Sequence, residues 1–333
     1  MIKWVFSLLV GLLIAVALTP RDGAMSSGFP RKPVTLIVAY SPGGAVDTIG
    51  RTVAKYIEPY LGQRVVVRNK PGAGGEIGYR SLSKANPDGY TIGMITAPPI
   101  LMLDMMRDST SGDILDFELL ASIQKDPVVF AVAADSPYES MAELLEDTRR
   151  SDAALLNVAG DGPLSNNQLQ LVAAESELGI NFNFVPFNGS GPSISALIGG
   201  QVQAAVPSAS SVSNFVRRGD VRALAVFAPS RYEFLPDVPT ILEATGIDVP
   251  DIGAAVRGIV IPSNAPPAIK QLLDEAIAQM MADSDFTAHT NSVGIPLHYM
   301  PATEFAQYLA TLEKQLDVFM PLLSASGSER GQQ

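Results

Sequence analysis

Val34-Thr-Leu-Ile-Val-Ala-Tyr-Ser-Pro-Gly-Gly-Ala-Val-Asp47 is an apolar run that stops on Ser-Pro-Gly-Gly and is followed by a helical pattern. Val34–Ala39 reads as a buried strand and Ser41–Gly44 as its loop. Ile49, Val53, Ile57 and Tyr60 then recur at spacings of four, four and three, which places them on one face of a helix. The same rhythm continues in both directions along the chain. Val65–Val67 is a strand, followed by Pro71-Gly-Ala-Gly-Gly75 and a helix over Ile77–Lys84. Thr91–Ile95 is a third strand, ended by Ala97-Pro98-Pro99. The second half repeats it. Strands at Val128–Ala133, Leu155–Ala159, Asn183–Phe187, Val202–Val206 and Val221–Phe227 alternate with helices at Met141–Arg149, Ser165–Leu178, up to Ile198 and up to Arg217. Val256–Ile261 adds a strand, and Pro267–Met281 and Ala302–Leu323 add helices. Alternation of this kind predicts an α/β fold with mainly parallel sheets flanked by helices.

In such folds the functional loops lie at the carboxyl ends of the strands. The loops at 40–47, 71–76, 96–98, 160–166, 188–191 and 207–209 are rich in Gly, Ser, Pro and Asn and contain no Lys or Arg. They offer backbone N–H groups and small hydroxyls, an inventory suited to binding. Without an arginine, such a site is expected to hold an anion through amides and waters. Asp47, at the mouth of the first helix, is read as a cap or as a brace for the loop. A side chain at Gly44 is expected to block the approach of a ligand and to conflict with the backbone angle.

The composition narrows the chemistry. The chain has 333 residues, a length that suggests about two domains. Charged residues make up 17%, low for a soluble domain, so much of the chain is expected in packed cores. Cysteine is absent, which removes thiolate nucleophiles, disulfides and iron–sulfur clusters. His289 and His298 are the only histidines, too few for a three-histidine zinc site. Gly72-Ala-Gly74 lacks the third glycine of a dinucleotide fingerprint, since Ile77 stands there. Neither a P-loop nor a nucleophile elbow occurs, and Ser81-Leu-Ser-Lys84 is only a weak match to a β-lactamase motif. The net charge of −11 gives no basic footprint for nucleic acid. No cofactor or metal is expected.

Residues 1–28 differ from the rest. Lys3 precedes the apolar run Trp4–Leu18, which is short for a spanning helix and fits the core of a signal peptide. Ala15-Val-Ala17 has a cleavage-site form but lies within the run, and Ala24 is a poorer candidate. Export with cleavage is therefore expected. It would remove Lys3, Arg21 and Asp22 and leave a net charge of −12.

The segment Ile37–Asp47 resembles the first-strand loop of the periplasmic solute-binding proteins of tripartite tricarboxylate transporters, the Bug or TctC-like family. Asn69-Lys-Pro-Gly-Ala-Gly-Gly75, Pro87-Asp-Gly-Tyr-Thr91, Val185-Pro-Phe-Asn-Gly-Ser190, Leu197-Ile-Gly-Gly-Gln-Val202 and Leu235-Pro-Asp-Val-Pro-Thr240 continue the resemblance in order. It implies a periplasmic-binding-protein type II-like fold with two crossovers. Lobe one would span 29–123 plus 228–333 and lobe two 124–227. It also implies a monomeric periplasmic receptor that closes on a small organic carboxylate and delivers it to permease subunits in the cytoplasmic membrane. The implied site comprises Tyr40, Ser41, Pro42, Gly43, Gly44, Ala45 and Asp47 in the first loop, Ala73 and Gly74 in the second, and Thr96 and Ala97 after the third strand. In lobe two it comprises Gly160, Asp161, Ser165, Asn166, Ser190 and Ser208, with Pro163 and Asn166 departing from the usual Ser and His of the family. Two other functions fit the same residues: a sensor that presents the solute to a membrane receptor kinase, and an exported enzyme acting on a carboxylate.

Overall fold

The structure is a computed structural model that describes residues 28–106, 116–150 and 155–330. The targeting run Trp4–Leu18 lies outside the described residues. In chain order, β1 (Val34–Val38), α1 (Ala45–Leu61), β2 (Val65–Asn69), α2 (Glu76–Ser83), β3 (Thr91–Ala97), α3 (Pro99–Met105) and β4 (Phe117–Asp126) come first. Then follow β5 (Val128–Ala133), α4 (Met141–Arg149), β6 (Asn157–Asp161), α5 (Asn166–Leu178), β7 (Asn183–Phe187), α6 (Ser190–Ile198), β8 (Ala204–Ala205), α7 (Ala209–Arg218) and β9 (Val221–Phe227). The chain ends with α8 (Ile241–Thr245), β10 (Ala255–Pro262), α9 (Pro267–Met281), α10 (Ser284–Ser292), β11 (Leu297–Pro301) and α11 (Ala302–Arg330).

The strands form two sheets, ordered β11-β4-β10-β3-β1-β2 and β7-β6-β8-β5-β9. Helices flank both, giving a two-lobed α/β fold. The sheets are mixed, where the alternating pattern predicted mainly parallel ones. Strands β1, β2 and β3 are parallel, as are β6, β7 and β8. By contrast, β10 runs antiparallel to β3 and β4, and β5 antiparallel to β8 and β9. Each of these reversed strands begins where the chain arrives from the other sheet. It therefore starts at the end where its neighbours finish. β4 stays in the first sheet through Asp126, and Pro127 alone separates it from β5.

The α1 periodicity holds: Ile49, Val53 and Ile57 are fully buried against β1, β3 and β10. Tyr60, next on that face, donates its hydroxyl to Asp283 Oδ2 at 2.8 Å. Phe130 of β5 packs on Phe182, in a second buried cluster that also takes in Ile37, Ile95 and Val256 of the first sheet. The loop between β2 and α2 lies against the end of β1. Gly72, Ala73, Gly74 and Gly75 all have positive φ, and this tight coil lets α2 pack directly on Ala39. A Cβ on Gly78 would stand 2.6 Å from Ala39 Cα and 2.9 Å from the Lys70 carbonyl oxygen. Both are backbone atoms that cannot rotate away. Gly78→Ala is therefore expected to lower stability by about 1–3 kcal/mol, read as an earlier midpoint in urea unfolding at unchanged slope.

Candidate functional site

The sequence-predicted residues collect where the two sheets face each other. Residues 40–47 leave the carboxyl end of β1, and Thr96 and Ala97 end β3. On the second sheet Gly160 and Asp161 end β6, Ser190 begins α6 and Ser208 precedes α7. Ser41, Pro42, Gly43, Gly44 and Ala45 are all exposed, while Asp47 is only 3% exposed.

Asp47 braces the first loop from below. One oxygen accepts from the Gly43 N–H at 2.8 Å and from Arg51 Nε at 2.8 Å. The other accepts from Asn69 Nδ2 at 2.8 Å, and the same Asn69 amide group also donates to the Tyr40 carbonyl. Burial alone would raise its pKa. The bonds from Arg51, Gly43 and Asn69, with the Arg51 charge, outweigh burial and hold the carboxyl down at about 2. Asp47 is thus the brace and not the cap, because the N-cap of α1 is Gly44 and no side chain accepts from its first turn. The two glycines also have different roles. Gly43 needs its freedom, with φ +81. Gly44 sits at φ −77, and an added Cβ would meet only the Ser41 carbonyl oxygen at 3.5 Å. Any residue can adopt the Gly44 backbone, which corrects the expectation of a forbidden angle there.

Helix starts differ in whether a side chain closes them, both at the seam, where Ser165 caps α5, and away from it, where α9 starts at Pro266 without a side-chain cap. α4, α8 and α10 carry side-chain caps from Ser140, Thr240 and Asp283. α1 and α6 start at Gly44 and Gly189 with no side-chain cap. Their first-turn N–H groups remain available, with the partial positive charge of a helix start.

In the second lobe, several predicted residues bond to protein groups. Ser165 caps α5, accepting from the Gln168 N–H at 3.2 Å. Asn166 Nδ2 donates to the Gly253 carbonyl at 2.8 Å, across to the segment that enters β10. Gln170, fully buried, donates to the Pro250 carbonyl and accepts from the Gly253 N–H. α5 is therefore fastened to the first lobe. Ser190 Oγ donates to the Asp161 carboxylate at 2.9 Å. Burial raises the Asp161 pKa; the Ser190 bond lowers it, and the negative Asp126 adds to the rise.

Three polar residues of the seam were not singled out in the sequence: Gln124, Asp126 and Arg257. In register, Arg257 on β10 lies between Thr96 on β3 and Gln124 on β4. Asp126 opposes Ala255 two pairs further along and accepts from Ser210 N–H at 3.0 Å and Ser210 Oγ at 2.5 Å. It thereby ties the first sheet to the start of α7. Burial raises the Asp126 pKa, against the opposing pull of Arg257 and Ser210. The readable signal was Arg257 itself, the one charged residue in the apolar run Ile252–Pro262.

Other features lie elsewhere. Asp251 pairs with Lys125 on the opposite face of β4, where a cavity of about 280 Å³ is lined by Pro127, Pro229 and His298 among others. His289 stacks on Tyr56. Among the described residues no cluster of His, Asp and Glu could hold a metal, and no helix is long and apolar enough to cross a membrane.

Residues 49–320 match the family model described as the tripartite tricarboxylate transporter family receptor, TctC. The chain belongs to this family. A UPF0065 protein of a Pseudomonas species is 30% identical, over 86% of this chain and 85% of that protein. BugT of Bordetella pertussis is 29% identical, over 82% and 83% of the two chains. A TctC solute-binding protein from Polaromonas superposes with a TM-score of 0.74 at 27% identity, covering 88% of this chain and 99% of its own. MatC from Rhodopseudomonas palustris, solved with bound malate, gives 0.68 at 25% identity over 89% and 100%. The chain is thus of the solute-binding receptor type, as the ordered motifs suggested.

The brace makes a checkable claim. Asp47→Ala should lower stability by about 1–3 kcal/mol, because three donors lose a charged acceptor. The folded-state pKa is depressed, so the contribution is full above the ordinary value of 3.8 and fades as pH falls through about 2. Thermal melts of the parent and variant should therefore differ at neutral pH and converge toward pH 2.

Proposed function

We propose that this protein is the periplasmic receptor of a tripartite tricarboxylate-type transport system. It captures a small organic carboxylate between its lobes and delivers it to permease subunits in the cytoplasmic membrane. Residues 1–28 direct its export. The observation that carries this reading is that α1 and α6 both open on a glycine, Gly44 and Gly189, with no side-chain cap. Bare amides at a helix start suit a carboxylate, and a hydrogen bond to a charged acceptor is worth about 1.5–3 kcal/mol. The exposed Ser41–Ala45 loop, held by Asp47, keeps those amides in place before a ligand arrives. Malate bound to MatC, a relative of similar fold, supports the ligand class.

The clean test is Gly44→Val, because that backbone accepts a side chain without strain. The variant should keep its circular dichroism spectrum and melting temperature. Its affinity for whichever carboxylate stabilises the parent in a thermal-shift panel should fall roughly 10-fold or more. A folded variant that binds like the parent would remove the loop from the site.

A further inference from the structure

We propose that Arg257 is a second anchor in the cleft, which makes the receptor selective for a dicarboxylate: one carboxylate on the amides that open α1, the other on the Arg257 guanidinium. This rests on the carboxylate-receptor reading above and narrows it.

The first observation is a buried cation without acceptors. Arg257 is 6% exposed, and its Nε and Nη1 make no hydrogen bond. Burying a charge without hydrogen bonds is costly, and proteins retain such a group where a partner arrives. The second observation concerns its neighbours. Gln124 Oε1, which flanks it in register on β4, is likewise buried and without a partner, while Thr96, its neighbour on β3, is buried with its hydroxyl toward Tyr40. Gln124 Oε1 is an acceptor beside unpaired donors, yet the two do not bond.

Asp126 is the nearest candidate for an internal counter-ion, but both its oxygens accept from Ser210. No ion pair joins it to Arg257 among the described residues, whereas Lys125, next to Gln124 on β4, pairs with Asp251 at 2.8 Å. Burial presses the Arg257 charge down, while Asp126 and Tyr40 support it. Tyr40 links Arg257 to the loop. It is the residue from which Ser41–Gly44 departs, and its hydroxyl accepts from Tyr79 at 3.2 Å. Tyr40 thus stands between the guanidinium and the amide cradle. Asp161, on the facing sheet, sets the upper limit. Its carboxylate would repel a third acidic group, so a dicarboxylate fits this charge pattern better than a tricarboxylate.

The experiment compares α,ω-diacids of three to six carbons with their half-amides by titration calorimetry on the full exported chain. The half-amide keeps length and shape and loses one charge. The parent should favour the best diacid over its half-amide by roughly 10- to 100-fold. In Arg257→Gln the ratio should collapse toward unity, with the half-amide's affinity unchanged and the ligand-free melting temperature not lowered. Arg257→Lys should restore part of the preference, since it returns the charge without the fork. A parent that binds diacid and half-amide equally overturns the proposal, as does an Arg257→Gln variant that weakens both alike. A parent that binds only monocarboxylates removes the second anchor and leaves the receptor reading standing. If no carboxylate of any kind binds, both fall together.

Discussion

The chain must pass between the two sheets and return, and it does so at one end of each. β4 runs into β5 through Pro127 alone, so both strands terminate at the seam. A strand entering there points away from its neighbours, which is why β5 and β10 run antiparallel to the strands beside them; β11, at the sheet edge, is antiparallel to β4 as well. The same constraint gathers the polar groups. The carboxyl ends of β1, β3 and β4 and the amino end of β10 all lie at the seam. Asp126 then fixes the crossing by accepting twice from Ser210 at the start of α7. The site is a consequence of where the chain changes sheets.

Much of this is legible in the sequence because βα units carry their signal locally. The Val34–Asp47 strand, loop and helix were each readable, and Asn183–Phe187, Val221–Phe227 and Pro267–Met281 have the limits expected. β4 and β11 were not. Phe117–Asp126 carries Ser122, Gln124 and Asp126 at buried positions, so it breaks the apolar pattern that marks a strand. β11 pairs on one side only and ends on Pro301, which gives it little pattern to read. Strand direction was also beyond local reading, since it depends on which sheet the chain has just left. Ser122 bonds to β11, donating to the His298 carbonyl and accepting from the Met300 N–H, while Gln124 and Asp126 lie at the seam; a strand that spends its alternate positions on polar groups loses its own signature for that reason.

The loops show a similar division between local and distant causes. That Ser41–Gly44 offers bare backbone follows from composition. That Asp47 serves as a brace depends on Asn69, which arrives from β2. Ser165 and Asn166 looked equivalent as candidate contacts, yet the structure separates them. Ser165 satisfies its own helix, while Asn166 and Gln170 reach the Pro250–Gly253 segment of the other lobe. The fit there is close: a Cβ on Gly253 would stand 2.4 Å from Gln170 Cβ. α5 is thus linked by sequence to the second lobe and by hydrogen bonds to the first. Any relative movement of the lobes must either carry this contact or break it.

Electrostatics closes the argument at short range. The described surface belongs to an acidic chain, and a net charge of −11 opposes an anionic ligand at a distance. Salt screens that opposition beyond about 8 Å, so the groups bordering the seam decide what enters. Asp47 is neutralised by Arg51, Asn69 and the Gly43 N–H, and Asp126 is occupied by Ser210. What remains unmatched is positive: the opening amides of α1 and α6 and the guanidinium of Arg257. Asp47 and Asp126 are consumed in holding a loop and a helix in place, and the positive groups are left without such partners. An acidic protein can in this way present a locally cationic interior, with its selectivity set by a few fixed donors and not by its overall charge.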